Sequence, residues 1–173
     1  MLGVSAQVLW TLCVGYTGST WTIPHRDGTG KIIGLQLRYQ NGGKTFFPGS
    51  NAGLIFGRGW QDGDGPIFLP EGASDVAALM TLGLNAVGRP SNTGGNEFAA
   101  KLLSAIPKER PVVVLGENNR KPPETLPASH RADCEGCLRC WPGRFGAIET
   151  AKKLSVALDR SEEHTSELQS RFG

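Results

Sequence analysis

Residues 66–88 read PIFLPEGASDVAALMTLGLNAVG, and residues 112–119 read VVVLGENN. In the first stretch a short apolar run, Ile67 to Leu69, stops at Pro70 and Glu71. From Gly72 to Leu82 the residues Val76, Leu79, Met80 and Leu82 recur at the i, i+3, i+4 spacing of an amphipathic helix. Asn85 to Val87 reads as a second strand. Val112 to Leu115 is a β-branched run of the kind buried on both faces of a parallel sheet. Further helices are predicted over Asn96–Ile106 and over Gly146–Leu158, the latter with Ile148, Ala151, Leu154 and Leu158 on one side. Strands alternating with helices predict an α/β fold, a mostly parallel sheet flanked by helices with right-handed crossovers.

The preceding 60 residues have a different rhythm. Ser5 is a candidate N-cap for a short helix ending near Leu12, with Cys13 expected as a buried apolar residue on it. Trp21 to Pro24 is extended, and Asp27 to Gly30 (DGTG) is a turn. Lys31 to Tyr39 (KIIGLQLRY) alternates, with Ile33, Leu35 and Leu37 on an expected buried face and Gln36 and Arg38 opposite. Asn41-Gly42 then makes a hairpin to a partner strand over Lys44–Phe47. Residues 1–60 therefore read as a small α+β unit, and Gln61 to Gly65 (QDGDG) as a linker.

Composition sets the outer bounds. The 173 residues are 39% apolar and 20% charged, enough for a core and against a wholly disordered chain. A formal net charge of +2 makes no bulk argument for nucleic acid, so any such function must come from a local site. No apolar run reaches the roughly 18 residues of a spanning helix, and MLGVSAQVLW lacks the basic and apolar regions of a secretory signal, which points to the cytoplasm. Arg160–Ser170 (RSEEHTSELQS) looks like the in-frame translation of a sequencing-library adapter. On that reading residues 160–173 are an artefactual tail set aside from the fold, and the chain is a fragment of a longer polypeptide.

In open parallel sheets, ligands lie at the carboxyl ends of the strands. Two strands here end in acids, Glu71 with Asp75 following, and Glu117 with Asn119 following. Placed side by side, these four make an oxygen-rich cluster, and clustered carboxylates call for a hard cation such as Mg²⁺. The alternative is that Glu71 and Asp75 merely complement the N-terminal end of a helix dipole.

The order EGASD after a strand, then Leu84-Asn85-Ala86-Val87-Gly88, then VVVLGENN, resembles the Toprim domain across Pro66 to about Leu158. That fold is shared by bacterial-type primases, topoisomerases and some nucleases. Glu71 and Asp75 match its Glu-Gly-x-x-Asp motif. The later Asp-x-Asp is altered, with Glu117 at the first acid and Asn119 at the second. Ile23-Pro24-His25-Arg26-Asp27, Gly30, Ile33-Gly34, Arg38, Lys44 and Leu54-Ile55-Phe56-Gly57 resemble the subdomain before Toprim in bacterial-type DNA primases, including those of phages and plasmids.

The resemblance implies metal-dependent nucleotidyl transfer with Mg²⁺ or Mn²⁺, making RNA primers on single-stranded DNA from nucleoside triphosphates, with a replicative helicase as partner. It implies Glu71, Asp75 and Glu117 as catalytic residues, and Glu71, Glu117 and Asn119 as metal ligands. Asn119 brings an amide oxygen and no charge, so one metal site is weakened. Arg38 and Lys44 match positions that line the template and nucleotide groove. As alternatives, Arg38 is an ordinary exposed strand residue and Lys44 an edge-strand gatekeeper. Arg89, in a strand-end loop, and Arg144, near a helix start, are candidate phosphate contacts. The alternatives are a plain surface arginine and an ion-paired cap. Two other functions stay open: a nuclease-like phosphodiesterase, and a nucleic-acid-binding module without turnover.

The cysteines form a second signal. His130, Cys134, Cys137 and Cys140 have the pattern His-x3-Cys-x2-Cys-x2-Cys. Four soft ligands in one loop suit tetrahedral zinc. Residues 120–142 thus read as an insertion folded on Zn²⁺, with reduced thiols or an iron–sulfur cluster as the alternatives.

Overall fold

The computed structural model describes residues 3–118, 120–130, 134 and 137–159, together with the backbone of 167–168. Helix α1 (Ala6–Thr11) is capped by Ser5, whose Oγ accepts from the Val8 N–H at 3.2 Å. Strands β1 (Gly15–Tyr16), β2 (Thr20–Arg26), β3 (Ile32–Tyr39) and β4 (Lys44–Phe46) form an antiparallel sheet in that order. The DGTG turn closes as expected: Asp27 Oδ1 accepts from the Thr29 N–H at 2.8 Å and from the Lys31 N–H at 3.1 Å. Gly42 takes a φ of +85° in the β3–β4 hairpin, a conformation that favours glycine.

The second half begins at β5 (Ile67–Leu69), followed by α2 (Ala73–Thr81), β6 (Asn85–Ala86), α3 (Asn96–Leu103), β7 (Val112–Leu115), α4 (Pro142–Ala157) and β8 (Glu167–Leu168). The strands form a parallel sheet in the order β6-β5-β7-β8. The chain is therefore mixed α/β, an antiparallel sheet followed by a parallel sheet flanked by helices. No helix among the described residues is long and apolar enough to cross a membrane.

The segment Leu54-Ile55-Phe56 joins the halves. Leu54 exchanges backbone hydrogen bonds with Arg26 of β2, and Ile55 with Gly88 just after β6. Its side chains alternate between two cores. Leu54 and Phe56 enter the core made by Ile67, Leu69, Val112, Val114, Leu103 and Leu154. Ile55 enters the other, with Val8, Leu12, Ile23 and Val76. The QDGDG linker is also tied down, because Arg110 donates from Nε to the Gly65 carbonyl at 2.8 Å and from its terminal nitrogens to those of Gln61 and Asp62.

Several local expectations are corrected. Strand β3 does not bury Leu35, which is 36% exposed; Gly34 is the buried residue. There the chain of Ser50 and Asn51 crosses so closely that a Cβ would collide with the Asn51 backbone. Cys13 is exposed and sits past the end of α1 with φ +58°, not on the helix's buried face. Helix α4 starts one turn earlier than predicted, with Pro142 in its first turn, where a missing N–H costs nothing. It buries Gly143, Gly146, Ala147, Thr150 and Leu154. Strand β8 lies in the stretch set aside as a tail: Val114 pairs with Glu167 and Leu115 with Leu168. An unpaired strand edge accepts any extended segment within reach, and β7 presents such an edge. Residues 160–166 and 169–173 lie outside the described residues.

The two-core role of Leu54-Ile55-Phe56 sets a stability expectation. Leu54 has no exposed surface, so Leu54→Ala is expected to cost about 2–5 kcal/mol. Urea unfolding would show this as a lower midpoint at unchanged m-value, and a loss under ~1 kcal/mol would contradict it.

Candidate functional site

The carboxyl ends of β5 and β7 build the site. Past β5, Glu71 still bridges in parallel to Arg89: the Arg89 N–H donates to the Pro70 carbonyl at 2.9 Å and the Gly72 N–H to the Arg89 carbonyl at 3.0 Å. Gly72 then takes φ +82° and ψ 169°, a region essentially closed to side chains. The chain turns there into α2, which leaves Glu71 before the helix and Asp75 in its first turn. On the adjacent strand, Gly116 and Glu117 follow β7. A Cβ at Gly116 would lie 2.7 Å from Ala147 Cβ, and one at Gly143 would lie 2.7 Å from the Glu117 carbonyl oxygen. These glycines let the start of α4 press directly on the strand end that carries Glu117.

Glu71, Asp75 and Glu117 line one groove of about 320 Å³, with Pro70, Leu79 and Gly116 among its walls. Burial raises the pKa of Glu71, and the charge of Glu117 raises it further; Arg89 and Lys44 pull in the opposite direction. Asp75 is raised by burial and then by Glu117. Glu117 is close enough to both to raise them, and oxygen-bearing side chains are the ligands that a hard divalent ion takes. Asn119, the fourth expected member, lies outside the described residues.

The expected cations separate by position. Directly opposed residues share a face in an antiparallel sheet, and the register sets Tyr16 opposite Trp21, Trp21 opposite Arg38, and Arg38 opposite Lys44. One row therefore crosses four strands as aromatic, aromatic, cation, cation. The Tyr16 and Trp21 rings lie 4.4 Å apart, and Gln40 donates to the Tyr16 hydroxyl at 2.9 Å. Trp21 and Arg38 also line a cavity of about 430 Å³ with Ala73 and Ser74 at the start of α2. Lys44 is close enough to lower the pKa of Glu71. The register sets Tyr16 and Trp21 beside the expected Arg38 and Lys44, a juxtaposition that depends on strand pairing and has no local sequence signal.

Arg89 is placed differently from expectation. It has no exposed surface. Its guanidinium donates to the Leu69 carbonyl at 3.3 Å, Asn92 at 2.6 Å and Leu115 at 2.7 Å, and to Thr150 Oγ1 at 3.2 Å. Its donors are turned to the protein's own carbonyls, which leaves no surface for an incoming phosphate. Arg144 is half-buried in the first turn of α4, against Gly116.

The second cluster is assembled as the spacing predicts. The ligand atoms of His130, Cys134, Cys137 and Cys140 all lie within 4.8 Å of one another. His130 Nδ1 is 3.4 Å from Cys137 Sγ and 3.7 Å from Cys140 Sγ. A tetrahedral zinc with bonds of about 2.0–2.3 Å separates its ligand atoms by roughly 3.3–3.8 Å, so these four can hold such an ion. Burial, followed by the neighbouring Cys137 and Cys134 thiols, pushes the Cys140 thiol up to about 11. A soft cation would reverse that by taking the thiolate. The Cys140 carbonyl accepts from the Lys121 N–H at 2.8 Å, and Trp141 Nε1 donates to the Cys134 carbonyl at 2.8 Å. The knuckle thus closes three residues before Gly143, which backs Glu117.

No protein-family model matches the chain, and no curated protein matches it in sequence. Solved structures do match in fold. The Aquifex aeolicus primase, zinc-binding and RNA polymerase domains, aligns with a TM-score of 0.61 at 17% identity over 91% of this chain and 45% of that one. The primase fragment of the bacteriophage T7 primase-helicase aligns at 0.53 and 13% identity over 98% and 63%. The DnaG primase catalytic domain bound to single-stranded DNA aligns at 0.53 and 18% over 71% and 53%. The chain thus spans about half to two thirds of these proteins and shares the fold of primase catalytic cores.

The raised pKa of Glu71 carries a sign. A carboxyl whose folded pKa lies above its unfolded value binds protons more tightly when folded, so stability falls as pH rises past the ordinary carboxylate range. Glu71→Gln is therefore expected to raise the Tm at pH 7 and to leave it nearly unchanged at pH 4. Thermal melts at the two pH values read this directly, and a lower Tm at pH 7 would contradict it.

Proposed function

We propose that the chain is the catalytic core of a Toprim primase, with the Toprim unit over residues 66–158 and a primase-like subdomain over residues 1–60, acting in the cytoplasm. The observation that carries this reading is the meeting of two features. The strand-end acids Glu71 and Glu117 share one groove with Asp75 of α2, and the aromatic–cationic row of the antiparallel sheet ends near Glu71. The matching fold of primase cores supports it, including the one bound to single-stranded DNA.

In this reading a single-stranded template lies along Tyr16, Trp21, Arg38 and Lys44. Bases stack on the rings, and phosphates meet the two cations. Glu71 and Glu117, with Asn119, would hold Mg²⁺ or Mn²⁺. A bound divalent ion supplies charge stabilisation to the phosphates and to the attacking and leaving oxygens. Lys44 approaches the groove from the opposite sheet and meets nucleotide phosphate. Glu71 accepts the proton of the primer 3′-hydroxyl as its oxygen bonds to the α-phosphorus and pyrophosphate leaves. Burial and the charge of Glu117 raise the pKa of Glu71, which makes it a stronger base. Asp75 adds negative charge at the groove wall. Arg144 faces the phosphates from the first turn of α4. The His130–Cys140 knuckle holds Zn²⁺ and keeps the start of α4 against Glu117. A replicative helicase, as in the T7 primase-helicase, is a partner in keeping with this role.

The test is ribonucleotide incorporation on single-stranded DNA by the full chain, titrated with Mg²⁺ and Mn²⁺. Incorporation that needs the metal is expected. It should fall by at least a hundredfold in Glu117→Gln, and Trp21→Ala should weaken template binding about 5- to 100-fold, the scale of one lost base stack. Template binding without incorporation at any metal concentration would make the chain a binding module, a reading that the uncharged Asn119 favours. Cleavage in place of synthesis would make it a phosphodiesterase.

A further inference from the structure

Arg89 is a fully buried cation, and burying a guanidinium is costly unless its donors are met. Here they are met by the structure around the acidic groove. Arg89 follows β6 at one edge of the parallel sheet, and its guanidinium passes beneath β5 to reach β7. On the way it takes the carbonyl of Leu69, the last residue of β5, and that of Leu115, the last residue of β7. Glu71 stands two residues past the first, and Glu117 two residues past the second. Arg89 also grips Asn92 and Thr150 of α4, and the Asn92 side chain donates to the Pro142 carbonyl at 3.0 Å. An apolar side chain of similar volume would fill the space but would leave the carbonyls of Leu69, Asn92 and Leu115 without this donor.

We propose that Arg89 is a positioning residue of the acidic groove: its guanidinium ties together the two strand ends that carry Glu71 and Glu117, fixing their spacing for a divalent cation. This rests on reading the groove as a cation site. It replaces the expected phosphate contact with a role at the backbone of the two strand ends that carry the acids. Its positive charge also lies near Glu71, which eases the gathering of three carboxylates before a metal arrives. Groups that orient metal ligands in this way are typically worth 10–100-fold in metal affinity.

The experiment measures Mn²⁺ binding to the full chain by electron paramagnetic resonance, below the melting temperature of every variant. Wild type is expected to bind Mn²⁺, and Glu71→Gln to lose it. Arg89→Met is expected to bind at least tenfold more weakly, and Arg89→Lys, with its charge but without the fork, to fall between. Leu103→Ala, a core change in α3, is expected to lower the Tm without moving Mn²⁺ affinity, which separates positioning from stability. Should Arg89→Met not fold, Thr150→Val removes one acceptor and is expected to weaken Mn²⁺ by about two- to fivefold. Unchanged affinity in the folded Arg89 and Thr150 variants would overturn the role of Arg89 while leaving the groove a cation site. Absence of Mn²⁺ binding in wild type would overturn the cation site itself.

Discussion

The repulsion among Glu71, Asp75 and Glu117 is the constraint around which the second half of the chain is arranged. Two adjacent parallel strands deliver their acids to the same groove, and the backbone fixes how far those acids can retreat. Glu71 is held by the continued ladder to Arg89, and Glu117 by the close packing of Gly116 on the first turn of α4, where Gly143 meets it. The acids respond by holding protons more tightly: burial and mutual charge raise Glu71 and Asp75. Relief comes from Arg89 behind the groove and Lys44 across from it. A cation between the acids would complete that balance. Charge held together at a cost to stability is a pattern of functional sites.

The two halves share one extended tripeptide. Leu54-Ile55-Phe56 alternates like a strand, yet it pairs with Arg26 on one side and Gly88 on the other, and it feeds both cores. That placement brings Lys44 and the aromatic–cationic row to the acids, so the antiparallel sheet becomes part of the site. The His–Cys knuckle lies on the other side, since it ends where α4 begins and α4 backs Glu117. Lys44 from one direction and the first turn of α4 from the other thus lie near the acids that line the groove.

Much of this was legible before the structure, for physical reasons that differ by element. The helical period over Gly72–Leu82 and the run Val112–Leu115 marked the parallel unit, because burial repeats at the period of the backbone. The acids stood out because glycine and a strand end flank them. His130, Cys134, Cys137 and Cys140 were readable because their ligation is local, and they converge as their spacing implied. What escaped was non-local. Arg89 looks like any loop arginine until Leu115, which is 26 residues away, is seen to accept from it. Tyr16 and Trp21 share a face only through strand register. The apolar alternation of β3 indicated a buried face, but burial depends on what lies above the sheet, and Leu35 stays 36% exposed. The start of α4 was misplaced because glycines at its first turn weaken the helical signal while serving close packing.

The central claim is that the strand-end acids form a hard-cation site and the His–Cys knuckle a separate soft one. Anomalous X-ray diffraction at the manganese and zinc edges, from crystals grown with both metals, tests it most directly. The expected result is manganese at Glu71 and Glu117, and zinc among His130, Cys134, Cys137 and Cys140. An empty acidic groove with its carboxyls turned away from one another, or both metals confined to the knuckle, would contradict it.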